Sequence, residues 1–157
     1  MKYRILNKEE LTHLEDELKQ FLIVNGVHGA EWERLNKEDA DKAITLVELF
    51  SDSILQKVYE KVKVLEFRTV DSAVLFRFDE HTVKLISIQR KPETVADLST
   101  PEGIHEALVY RLAELEFFRS EKKYPIDRES EVHKLIEQGC LLSDTTLWES
   151  LDKLIAR

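Results

Sequence analysis

One cysteine, Cys140, stands among the 157 residues. It excludes an internal disulfide and any zinc cage built on thiolates. The 4 glycines and 3 prolines are too few for a collagen-like or low-complexity chain, and no Gly-rich phosphate loop can be drawn from them. The longest apolar run is Phe21-Leu22-Ile23-Val24, far short of the ~20 residues that a membrane helix needs. Positive charge is also scarce. Lys and Arg number 23 against 31 Asp and Glu, leaving a net charge of −8. Counterion-driven binding to nucleic acid or to an anionic membrane is therefore not expected as the main activity. No apolar run follows Lys2 and Arg4, and neither end carries a lipidation signal. The expectation is a cytoplasmic protein without a membrane partner.

Apolar residues make up 43% and charged residues 34%, enough for one core in a chain of single-domain length. Helical signals open the sequence. Asn7 with Glu10 is a helix-start signature, and Leu11, Leu14, Leu18, Phe21 and Leu22 recur at helical spacing up to Asn25-Gly26. Residues 30–35 form a short helix with Trp32 and Leu35 on one face, and Asn36 can cap the next helix. The strongest helix is predicted over 38–62, with Ala40, Ala43, Ile44, Val47, Phe50, Ile54, Val58 and Val62 as its apolar stripe.

The period then changes from 3.6 to 2. Segments 63–69, 73–79 and 82–90 alternate, separated by short turns at 70–72 and 80–81. Together they predict a three-stranded antiparallel meander over about 63–90. Residues 92–100 form a loop. Thr100-Pro101 begins a helix predicted to run to about Arg119 through Ile104, Leu108, Leu112, Leu115 and Phe118. Asp127 begins another, stopped by Gly139, and Ser143-Asp144 caps a last one. Helices, then strands, then helices is an α+β order. The whole chain, 1–157, reads as a single domain with a possible sub-boundary at 92–100.

Chemistry-bearing residues are present but form no motif. The five histidines His13, His28, His81, His105 and His133 include no i, i+4 pair. His105-Glu106 begins like a metalloprotease motif, but Val109 stands where the second ligand would be. Neither a metal nor a cofactor is expected. Cys140 follows a helix end, where the dipole disfavours a thiolate, and reads as a small buried hydrophobe. Acid pairs are numerous, as expected of a chain so rich in carboxylates, and none stands out as catalytic.

Charge reverses sign only in the meander. If Leu65, Phe67, Phe76 and Phe78 face the helices, Arg68, Leu75, Arg77, Lys84 and Arg90 lie on or beside an outer basic face. That face could take an acidic peptide, or nucleic acid weakly. The plainer reading, a solvated face with a Glu66–Arg77 cross-strand pair, is favoured. A second candidate is a polar pocket between sheet and helices around Arg77, His81 and His105. Trp32 and Trp148 read as core or lid residues, or as interface anchors if exposed.

The segments MKYRIL and KEEL, the ELFSD of Glu48 to Asp52, and the LEF, VLFRF and KLISI strands resemble a family of small uncharacterised bacterial proteins, over residues 1–91. The resemblance implies a free-standing cytoplasmic protein and assigns no activity or functional residue. The leading expectation is a non-catalytic protein-interaction module, self-associating or serving as an adaptor or inhibitor. An exposed meander edge is one route for strand addition. A small-molecule binder or an enzyme with a non-motif site is the alternative.

Overall fold

A computed structural model describes residues 1–156. They form two compact units, Met1–Glu60 and a second that begins at Lys61. Segment 92–100 lies inside the second.

The first unit is helical: α1 (Lys8–His13), α2 (Glu15–Val24), α3 (Gly29–Glu38) and α4 (Ala40–Glu60). The start signature at Asn7 forms a full capping box with Glu10. The Glu10 carboxylate is also gripped by both terminal nitrogens of Arg4 at 2.8 Å. The helix expected over 7–24 is two helices meeting at Leu14. Asn36 does not cap α4; it sits inside α3 and donates to the Trp32 carbonyl.

The apolar stripe of α4 also differs from the expected one. Ala43 and Phe50 are buried, but Ile44 and Val58 are exposed, and Leu46, Leu55 and Tyr59 are buried instead. The helix packs in two directions. Its first half meets α2 and α3 through Ala43 and Leu46, beside Leu22, Val27 and Leu35. Its second half carries the extended N-terminal segment. There the Lys2 and Tyr3 amides donate to Asp52, the Leu6 amide donates to Ser51 Oγ, and the Tyr3 and Tyr59 rings meet edge to face.

The second unit is a sheet with helices. Its strands are β1 (Val64–Arg68), β2 (Ser72–Phe78), β3 (Thr82–Arg90), β4 (Leu115–Lys123) and β5 (Leu141–Leu142), in the order β4-β3-β2-β1-β5 with every pairing antiparallel. Its helices are α5 (Pro101–Tyr110), α6 (Arg128–Glu137) and α7 (Thr145–Ile155). Thr100, Asp127 and Asp144 cap them with their side chains.

The α+β class is as expected, and the three meander strands form where the alternation placed them. The sheet is larger than a meander, however. The helix expected to reach Arg119 stops at Tyr110; a 3-10 turn over Leu112–Glu114 follows, and β4 then pairs along the whole length of β3. A strand held at one edge lines up backbone donors and acceptors that a continued helix would have left without partners on β3.

Register assigns the two faces. Val64, Ala73, Leu75, Ile86, Ile88 and Leu115 share the face packed by Ile104 and Ala107 of α5 and by Trp148 and Leu151 of α7. Leu75 is 0% exposed there, so the face that carries it is the inner face of a core and not an outer one. The opposite face carries Leu65, Phe67, Phe76 and Phe78. There α6 lies near Phe78, with the Arg128 guanidinium 5.9 Å from its ring centroid. Arg128 also donates to the Phe78 and Val62 carbonyls. Both faces therefore carry helices, and the aromatics are divided: Phe78 is buried, while Phe67 and Phe118 are exposed.

Candidate functional site

Arg68, Leu75, Arg77, Lys84 and Arg90 do share one face of the sheet, as expected, but it is the face that α5 and α7 pack against. Arg68 stands on the α5/α7 face and pairs with Glu66, its Nε 2.8 Å from Oε2. The expected Glu66–Arg77 pair is not formed, because Glu66 lies opposite Leu75 and Arg77 lies opposite Val64. Arg77 and Lys84 face each other across β2 and β3 and share Asp79, at 3.1 and 3.5 Å. Arg90 is held by Asp71 at 2.7 Å and donates to the Ala96 carbonyl. The cations expected to form one basic face are thus each matched by a carboxylate, and the aliphatic spot among them, Leu75, is buried.

The expected polar trio is dispersed. Arg77 is tied to Asp79, and His81 lines an open cleft with Tyr124 and Arg128. In that cleft the Tyr124 hydroxyl donates to the Asp79 carbonyl at 2.6 Å, and burial pushes its pKa up to about 12. His105 lines a separate groove. Trp148 is 2% exposed within the core of the second unit and offers no surface to a partner. Trp32 is half-buried and forms part of a cleft of about 370 Å³ in the first unit. Burial raises the pKa of the Cys140 thiol. Among the described residues no group of three or more His, Cys, Asp or Glu side chains could hold a metal ion.

Two features of the second unit remain. The first is the groove that holds His105. It occupies about 520 Å³ between α5 and α7, with Ile104, Leu108, Val109 and Leu147 along its walls and Glu66 and Arg68 within it. Ser143 and Asp144, at the start of α7, close one end.

The second is the free edge of β4. Among the described residues no strand lies beyond it. The Lys91 amide donates to the Glu114 carbonyl in the register that pairs β3 with β4. Alternation from that bond directs the backbone groups of Glu116, Phe118, Ser120 and Lys122 toward β3. The N–H and C=O groups of Phe117, Arg119, Glu121 and Lys123 point away from the sheet. This edge is nine residues long, exposed from Phe118 onward, and Phe118 itself is 62% exposed. It is hidden from sequence reading because Leu108, Leu112 and Leu115 continue the helical spacing of α5. The signal present is the lack of any apolar stripe beyond Phe118.

Among the described residues no helix is long and apolar enough to cross a membrane. No curated protein and no solved structure matches the chain. A family model does match, over residues 1–156, well past the 1–91 on which the sequence resemblance rested. The chain therefore belongs to DUF6495, a family of unknown function.

Proposed function

We propose that the chain is a non-catalytic protein-interaction module that self-associates by pairing β4 with β4 of a second copy. The observation that carries this reading is the free edge itself. Unpaired edge groups form a template for another strand, and strand addition takes its affinity from main-chain bonds. Charged edge residues usually discourage such pairing. Here their signs alternate along the strand in a way that suits an antiparallel copy.

With Ser120 on the two-fold axis, the outward-facing Arg119 of each copy lies opposite Glu121 of the other. Phe117 lies opposite Lys123, and Phe118 opposite Lys122. No like charges meet directly, and Arg–Glu pairing is favourable across strands. The result is one continuous ten-stranded sheet. Arg119 also lies 2.8 Å from Asp152 of α7.

Glu121→Pro tests this reading. Its N–H points away from β3, so proline removes an outward donor and leaves the β3 ladder whole. Sedimentation equilibrium of the full chain should give a concentration-dependent dimer for the wild type and a folded monomer for Glu121→Pro. A wild type that stays monomeric at high concentration, or a variant that dimerises equally well, would overturn the proposal.

A further inference from the structure

We infer that Glu131 of α6 makes the β4 edge selective for a second copy of this chain, because a strand that lays an aromatic ring over Lys122 tightens the loose charge pair between Lys122 and Glu131. The inference rests on the β4 pairing proposed above and names what that pairing recognises. Main-chain bonds alone accept any extended strand, so the choice of partner has to come from side chains.

Lys122 lies opposite Val83, which in turn lies opposite Phe78. It therefore belongs to the sheet face where α6 packs, as does Phe118, four residues earlier on the same strand. Glu131 is 3% exposed, and its Oε2 is buried without a hydrogen-bond partner. Its other oxygen, Oε1, faces the Lys122 ammonium at 4.0 Å, beyond the ~3.2 Å limit of an ordinary N–H···O hydrogen bond. The Lys122 side chain is 63% exposed, so water screens its charge. A carboxylate this deeply buried is poorly compensated by a distant, hydrated cation.

Pairing across the two-fold axis changes the surroundings of that cation. The backbone groups of Phe118 and Lys122 point toward β3, so across the dimer these residues face each other as a pair without mutual hydrogen bonds. That is the closer-spaced kind, with Cα atoms ~4.5 Å apart. Phe118 is 62% exposed in the single chain. In the dimer its ring lies against the Lys122 stem of the other copy, displaces water from it and attracts the ammonium through its π face. With less water to screen it, the ammonium gains more from the Glu131 carboxylate, and the contact shortens to a hydrogen bond. Symmetry makes two such sets. A strand with a small or charged residue in place of Phe118 leaves Lys122 hydrated and gains nothing from Glu131.

Sedimentation equilibrium of the full chain tests this on the wild type, Glu131→Gln, Phe118→Ala and the double variant. Phe118→Ala stands for a strand without the ring. Each single variant should raise the dimer dissociation constant at least about fivefold. Both act through Lys122, so the double variant should fall clearly short of the product of the two factors. Phe118 is exposed in the single chain, so Phe118→Ala stays informative even if Glu131→Gln disturbs α6. A single variant that dimerises as the wild type does, or a double variant that reaches the full product, would overturn this inference alone, provided that Glu121→Pro still gives a monomer. A monomeric wild type would overturn the β4 pairing and this inference together.

Discussion

Arg68 Nε lies 2.8 Å from Oε2 of Glu66, and both side chains stand on the sheet face that packs beneath α5 and α7. Side-chain exposures of 18% and 12% leave little water to screen either charge. A partly buried pair of this kind adds little net stability over a hydrophobic replacement, yet removing one partner strands the other. Arg68→Met should therefore destabilise the chain by about 2 kcal/mol in chemical denaturation. Adding Glu66→Gln to it should recover most of that loss. A double variant as unstable as the single one would show that the arginine stem, and not the pair, matters.

Of the four glycines, Gly103 leaves the least room for a side chain. A Cβ placed there would stand 1.9 Å from the Asp97 carbonyl oxygen, a backbone atom that cannot swing aside. The Gly103 amide meanwhile donates to the capping Oγ1 of Thr100 at 3.0 Å. Gly103→Ala should cost about 3 kcal/mol, at the upper end of overpacking, and lower the melting temperature by several degrees. An unchanged melting temperature would contradict the packing of the 97–103 turn.

Glu10 couples the first unit to acid pH. Its hydrogen bonds with Arg4 and Asn7 lower its pKa to about 2 from 4.5. A depressed carboxyl stabilises the fold above its unfolded value and loses that contribution as pH falls through the folded value. The contribution should be whole above about pH 4.5 and gone near pH 2. Exposure of both side chains by about a third limits it to about 1 kcal/mol. Denaturation of wild type and Glu10→Gln across pH 2–6 should give curves that converge at the acid end.

Tyr124 acts at the other end of the pH scale. Burial raises its phenol to about 12, so the folded state resists the phenolate. The stability linked to this group is present below about pH 10 and lost between 10 and 12. Tyr124→Phe should cost about 1 kcal/mol at neutral pH through the lost bond to the Asp79 carbonyl. It should also flatten the alkaline decline between pH 10 and 12. An equally steep decline in the variant would assign the effect to another group.

Much of the architecture is legible in the sequence because local signals agree with tertiary packing. The caps at Asn7, Thr100, Asp127 and Asp144 each hold a helix, and Gly26 and Gly139 adopt the positive φ expected after a helix end. The three central strands follow their alternation. The assignment of faces does not carry over. Alternation with aromatics on the inner side predicts the wrong face: Glu66 and Arg68 lie with Leu75 under two helices, while Phe67 and Phe118 are exposed. When helices lie on both sides of a sheet, alternation alone cannot name the inner face. Strand β4 escapes sequence reading because an exposed edge strand needs no apolar period, and its pairing with β3 is a long-range relation. The groove is partly legible: His105 is a candidate from sequence, but its neighbours Asp144 and Leu147 are remote along the chain.

A charge-swap cycle read as dimer dissociation constants distinguishes self-association through β4 from any other mode. Glu121→Arg alone places arginines opposite each other and should weaken the dimer at least about tenfold. The double variant Arg119→Glu with Glu121→Arg restores opposite charges in the same register and should bring the constant back to within a few-fold of the wild type. A double variant as weak as the single one, or a single variant that dimerises as the wild type does, would contradict pairing with Ser120 on the axis.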